Sequence, residues 1–274
     1  MTTGAPDLLE AIVAATEREV SVRQDQVSIE TLEQQAATRT PRGEAFRTSL
    51  MPGNGFNIIA ECKRRSPSRG VLRADYRPAE IARAYTAAGA TAISVLTEPA
   101  FFDGALEDLA NVRAAVEIPV LRKDFVVSRY QLLEARAAGA DAVLLIVAAL
   151  EDQQLESLHE AALGQGLAVL VEVHDTAELS QALDAGARII GVNNRNLRTL
   201  DVDLNASHTL IANIPKTVLS VAESGLRRGG DLVALREAGY DAFLIGESLI
   251  TAEDPGRALR ALLVNAAAGV ARPR

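Results

Sequence analysis

One phrase recurs four times along the chain, as Ala88-Gly89-Ala90-Thr91-Ala92-Ile93-Ser94, Ala138-Gly139-Ala140-Asp141-Ala142-Val143-Leu144, Ala185-Gly186-Ala187-Arg188-Ile189-Ile190-Gly191 and Ala238-Gly239-Tyr240-Asp241-Ala242-Phe243-Leu244. Each copy reads as a helix ending on a C-terminal glycine, a short turn and a buried strand. The period of roughly 50 residues is twice one strand-plus-helix unit of a parallel α/β protein, so the repeat catches every second strand. The missing partners lie between the copies, in the short aliphatic runs Phe56 to Glu61, Val120 to Lys123, Ala168 to Val173 and Val218 to Ala222. Helical spacing fills the rest: Pro78 to Ala88, Ala105 to Val116, Tyr130 to Ala138, Glu151 to Leu163, Ala177 to Ala185, Asn205 to Ile211, Gly229 to Ala238 and Pro255 to Ala267.

Eight strands alternating with eight helices predict an α/β fold of the (β/α)8 barrel type. A doubly wound sheet is the rival, but no G-x-G-x-x-G follows the first strand. Before that strand, Leu8, Leu9, Ile12, Val13 and Val20 are spaced along an amphipathic pattern. Residues 1–50 are therefore expected to form extra helices packed on the barrel, within a single domain over 1–274. With 274 residues and 48% of them apolar, the chain can bury one large core.

The net charge of −8 argues against a general nucleic-acid or anionic-membrane binder, so any anion site must be local. One cysteine and three scattered histidines offer neither a disulfide framework nor a metal-spacing motif. The first seven residues lack the basic-then-apolar pattern of a leader, and the longest apolar run, Ala142 to Leu150, is too short to span a bilayer. These features lead us to expect a soluble, cytoplasmic protein.

Barrels collect their chemistry at the C-terminal ends of the strands, and polar residues accumulate there in this chain. The first strand ends in Glu61 and Lys63, two residues apart and so on one face. The third ends in Arg122-Lys123-Asp124, the fifth in Glu172, the sixth in Asn193-Asn194-Arg195-Asn196 and the seventh in Glu223-Ser224-Gly225. Strands two, four and eight end more quietly, in Thr97-Glu98, Ile146-Val147 and Gly246-Glu247-Ser248.

Each candidate has a structural alternative. Glu172, with apolar flanks, reads as a carboxylate of raised pKa fit for general acid or base work, or as a rim carboxylate paired with a surface arginine. Lys123 reads as a proton donor or Schiff-base nucleophile, or as an ion-pair partner of Asp124 or Glu61. Asn193 alone would more often be a turn-former. The segment Arg64-Arg65-Ser66-Pro67-Ser68-Arg69-Gly70 reads as a mobile loop suited to an anion. Ser224-Gly225 and Gly246-Glu247 stand where barrels bind phosphate through backbone N–H groups, so a phosphorylated small molecule is the expected ligand.

Taken together, these segments resemble the indole-3-glycerol phosphate synthase family. The likeness rests on Ile59-Ala60-Glu61-Cys62-Lys63-Arg64-Arg65-Ser66-Pro67-Ser68, Ser94-Val95-Leu96-Thr97-Glu98-Pro99-Ala100-Phe101-Phe102-Asp103-Gly104, Leu121-Arg122-Lys123-Asp124-Phe125, Leu170-Val171-Glu172-Val173-His174, Gly191-Val192-Asn193-Asn194-Arg195-Asn196-Leu197, Ala222-Glu223-Ser224-Gly225 and Ile245-Gly246-Glu247-Ser248-Leu249. Two departures stand beside it: the family more often has an acidic residue near Ser128 and often a serine at Ala222.

The resemblance implies ring closure of 1-(2-carboxyphenylamino)-1-deoxyribulose 5-phosphate to indole-3-glycerol phosphate, CO2 and water, without a cofactor or metal, in tryptophan biosynthesis. It implies Lys123 as general acid on the substrate carbonyl, Lys63 as the group that positions the departing carboxylate, and Glu172 as the second proton-transfer group. It further implies Glu61 and Asn193 as orienting groups, Glu223 and Ser224 as contacts that complete the ring, and Ser66, Arg195, Gly225, Gly246 and Glu247 as phosphate or carboxylate contacts. Association with other enzymes of the same pathway is left open. The rivals are another phosphosugar barrel, an isomerase or a Schiff-base aldolase, and a non-catalytic binder of phosphorylated metabolites.

Overall fold

A computed structural model describes residues 7–53 and 55–270. The leader reading rested mainly on residues 1–6, which lie outside the described residues. Eight parallel strands, β1 (Asn57–Cys62), β2 (Ala92–Leu96), β3 (Val120–Lys123), β4 (Ala142–Ile146), β5 (Ala168–Val173), β6 (Ile189–Asn193), β7 (Leu219–Glu223) and β8 (Ala242–Ile245), close into a barrel. Closure comes from β1, which pairs with β2 on one side and β8 on the other. The expected barrel is thus the observed one.

The helices expected at Pro78–Ala88 and Gly229–Ala238 have those same bounds, and the others differ by a residue or a few at their ends. Three of the repeated glycines, Gly89, Gly139 and Gly239, have positive φ at helix C-caps, which a residue with a Cβ adopts only with strain.

Strand alternation sorts the side chains into two cores. Ile58, Ala60 and Cys62 of β1 face outward and join the shell between strands and helices, whereas Ile59 joins Leu121, Leu144, Leu170, Val221 and Leu244 inside the barrel. Carried upward by two residues per step, the inward set ends in Glu61, Lys123, Glu172, Asn193 and Glu223. That set is the mouth of the barrel. The same alternation turns Arg122 away from it.

Arg122, one of the strand-end charges noted in the sequence, is 1% exposed and reaches outward beneath the helix Arg129–Ala138. There it donates to Asp124 Oδ2 at 2.8 Å, Thr97 Oγ1 at 3.0 Å and the Gln131 carbonyl at 2.6 Å, and pairs with Glu134. A buried guanidinium survives only when its donors are satisfied in this way, so Arg122 and Asp124 are structural.

Extra helices at Leu8–Gln26, Ile29–Ala37 and Gly43–Ser49 precede β1, as expected. Leu9, Ile12, Phe46 and Leu50 join the barrel-interior cluster, and Arg23 ties the first helix to Glu134 at 2.6 Å. The segment after β1 that was expected to be a loop carries a small antiparallel hairpin, with Arg65 opposite Val71 and Ser66 opposite Gly70. Arg64 pairs with Asp103, and Arg73 donates to the Ile250 and Ala252 carbonyls.

Candidate active site

The barrel mouth opens into a cavity of about 1100 Å3, counting its solvent-open part, and every sequence-nominated site residue lines it: Glu61, Lys63, Ser66, Lys123, Glu172, Asn193, Arg195, Glu223, Ser224, Gly225, Gly246 and Glu247. The first group is electrostatic. Lys63 Nζ donates to Glu61 Oε1 at 2.5 Å. Lys123 Nζ donates to Glu172 Oε2 at 2.9 Å and lies 3.6 Å from Glu223 Oε2. Asn193 Nδ2 donates to Glu172 Oε1 at 2.9 Å, holding that carboxylate from its other side.

Neither partner expected for a merely structural Lys123 is the one found, since Asp124 serves Arg122 and Glu61 serves Lys63. Burial disfavours the Lys123 ammonium, but Glu172, Glu223 and Glu61 outweigh it and hold the pKa above the ordinary lysine value. Lys123 is therefore held as a cation between carboxylates.

The carboxylates divide differently from expectation. Burial would raise the Glu172 pKa, yet Lys123, His174 and the Asn193 hydrogen bond lower it below the ordinary value. The raised carboxyl is Glu223 instead, pushed up to about 8 by burial and by Glu172 and Glu61, against the pull of Lys123. Two neighbouring carboxyls driven apart in this way give one acid and one base at neutral pH. Glu223 Oε1 is also buried without a hydrogen-bond partner among the described residues.

Space for these carboxyls comes from two glycines. A Cβ at Gly191 would fall against Glu223 Oε1, and one at Gly246 against Glu61 Oε1. Gly191 stands beside Glu172 in the register of β5 and β6, and its bare backbone leaves room for the Glu223 carboxyl.

Directly after β7, Ser224 (φ 63°) and Gly225 (φ 79°) turn the chain sharply. A side chain at Gly225 would meet Val202 Cγ1 at 2.8 Å and Leu204 Cδ2 at 3.0 Å. The Glu247 carboxylate draws three arginines together: Arg195 at 3.2 Å, Arg69 at 3.4 Å and Arg227 at 3.5 Å. Gly225→Ala is expected to weaken competitive inhibition by inorganic phosphate on the order of tenfold, because the strained turn must shift. Unchanged inhibition would place phosphate elsewhere.

Sequence reasoning did not nominate the apolar wall. Leu8 and Ile12 from the first helix join Phe102, Phe125, Leu144, Ile146 and Leu197 around the cavity. Leu8 and Ile12 carried the amphipathic signal, but nothing in it told a face packed on the barrel from one packed over its mouth. Glu98, at the quiet end of β2, caps the short helix Pro99–Phe102 through three backbone N–H groups and so positions Phe102. Of the two departures, Ser128 caps the helix Arg129–Ala138 and Ala222 faces the outer core.

Residues 9–262 match the family described as indole-3-glycerol phosphate synthase. A protein of Streptomyces coelicolor named indole-3-glycerol phosphate synthase 1 is 50% identical over 256 residues, covering 93% of this chain and 94% of that protein. An indole-3-glycerol phosphate synthase of Rhodococcus jostii is 48% identical, covering 97% of this chain and 98% of its own. Among solved structures, thiamine phosphate pyrophosphorylase from Pyrococcus furiosus shares the fold at a TM-score of 0.61 and 19% identity, covering 83% of this chain and 100% of its own.

Proposed function

Because the chain belongs to the indole-3-glycerol phosphate synthase family, we propose that its barrel mouth closes the indole ring of 1-(2-carboxyphenylamino)-1-deoxyribulose 5-phosphate by general acid–base catalysis. The observation that carries the reading is the convergence of two lysines and three carboxyls on one cavity that has an apolar wall and a backbone turn suited to phosphate. An aromatic ring, a carboxylate and a phosphate need those three surfaces.

In this reading the Lys123 ammonium protonates the carbonyl as the ring carbon attacks it, and Lys63 holds the carboxylate that leaves as CO2. Glu172, ionised at rest, takes the ring proton and hands a proton to the departing hydroxyl, which restores aromaticity. Glu223, still protonated near neutrality, donates a hydrogen bond to substrate oxygen, while Glu61 and Asn193 orient their neighbours. Phosphate sits at the Ser224-Gly225 turn and the Gly246-Glu247 backbone, with Ser66 and Arg195 beside it. These steps are proton transfers and charge placement, which side chains supply without an electron sink. The helices are consistent with a cytoplasmic enzyme: none among the described residues is long and apolar enough to cross a membrane.

The raised pKa of Lys123 works against a Schiff-base aldolase, whose nucleophile must be a free amine and is made so by a lowered pKa. A passive metabolite binder would have no use for two carboxyls held in opposite protonation states beside one lysine. Adding the carboxyphenylamino substrate and following indole fluorescence tests the reading directly. The chain has no tryptophan, so the product should rise over a weak background. A lysine adduct trapped by borohydride, with no indole formed, would favour the aldolase instead.

A further inference from the structure

Two residues beyond Glu172, strand alternation brings His174 to the same inward side. Its ring lies between two carboxylates, with Nδ1 3.0 Å from Glu178 Oε2 and Nε2 3.5 Å from Glu172 Oε1. Glu178 stands in the first turn of the helix Thr176–Asp184 and also accepts the His174 backbone N–H at 2.7 Å. One carboxylate therefore grips both the ring and the main chain of His174.

A carboxylate at Nδ1 fixes that nitrogen as the N–H, which leaves Nε2 turned toward Glu172. Nε2 is buried with no hydrogen-bond partner among the described residues. For a purely structural imidazole that is a costly arrangement, and a phenyl ring or an amide would fill the space as well. The cost disappears when Nε2 carries a proton and the ring is a cation attracted by Glu172.

We propose that His174, oriented by Glu178, is a positioning residue that as an imidazolium keeps Glu172 ionised and aimed for proton transfer. The inference rests on the acid–base role given to Glu172 above. The charged groups around the ring are Glu172 from its own strand, Glu178 from the following helix and Glu223 from β7. Lys123 of β3 and the neutral Asn193 of β6 hold Glu172 from its other sides. Burial of the ring works against its charge, but Glu178, Glu172 and Glu223 outweigh burial and raise the His174 pKa above its ordinary value of 6.5.

Two measurements test the idea on the full-length protein. In nitrogen NMR of the imidazoles, only three histidines need assigning. His174 should titrate above 6.5 in the wild type and lower in Glu178→Gln. In pH profiles of kcat/KM, losing the cation lets the Glu172 pKa rise, so the acid limb should move upward by about one pH unit in both His174→Gln and Glu178→Gln. Activity at the acid end then falls on the order of tenfold, recovers above the limb, and leaves KM little changed.

A loss by the same factor at every pH would mean that His174 only packs, and overturns the proposal. So would a His174 that titrates at or below 6.5 and ignores Glu178→Gln. If His174→Gln fails to fold, the Glu178→Gln profile and the wild-type titration decide. If the wild type closes no ring, the functional reading fails, while the titration still tells whether the imidazole is charged.

Discussion

Lys123→Met should fold and bind substrate yet turn over slower by on the order of 10²-fold or more, since the change keeps most of the side-chain volume and removes the proton donor. The loss should fall on kcat, because the proton moves only as the ring carbon attacks. A second effect accompanies it. Lys123 is the cation between Glu172 at 2.9 Å and Glu223 at 3.6 Å, so its removal leaves two buried acids facing each other. They can share the cavity only if they take up protons, which makes the Met variant progressively less stable than wild type as pH rises. Lys123→Arg separates the two roles: it restores the cation and the stability, but a guanidinium does not give up its proton, so activity stays low. Near-wild-type kcat in the Met variant would remove Lys123 from the chemistry. An active Arg variant would reduce its role to charge alone.

The barrel and most of the site residues were legible because two simple periods carry them. The 50-residue phrase gave every second strand. The two-residue alternation of a strand then put Glu61, Lys123, Glu172, Asn193 and Glu223 on one side of the sheet. Arg122 was ambiguous only while its neighbours were considered as a cluster of charge, since by parity it belongs with the outer core.

Other features were less accessible because they depend on distances across the barrel. Glu172 and Glu223 are 51 residues apart in sequence, and which of two such carboxyls keeps its proton depends on which lies nearer Lys123 and which accepts the Asn193 hydrogen bond. The hairpin at Arg65–Ser66 and Gly70–Val71 is likewise fixed by partners elsewhere, through Arg64 to Asp103 and Arg69 to Glu247. Gly191 and Gly246 look like ordinary loop and strand glycines until the carboxyls that need their missing Cβ atoms are in place.

Glu223→Gln should cost most of the activity and at the same time make the protein more stable, increasingly so at alkaline pH. The unfolded chain ionises this side chain near 4.5, whereas the native protein holds its proton until about 8. Between those values the native state binds more protons than the unfolded state, so wild-type stability falls as pH rises through the window. Each pH unit there costs at most about 1.4 kcal/mol, with the attraction of Lys123 already contained in the native value. Glutamine keeps the shape and cannot ionise, so the variant should gain on the order of a few kcal/mol over wild type at pH 8.5, or several degrees in Tm. Near pH 4.5, where both proteins carry a neutral side chain, the difference should vanish. Calorimetry at several pH values reads the gap directly. A constant difference across that range, or a variant that is less stable throughout, would show that Glu223 is ionised in the folded protein, and the acid at the barrel mouth would then have to be Lys123 alone.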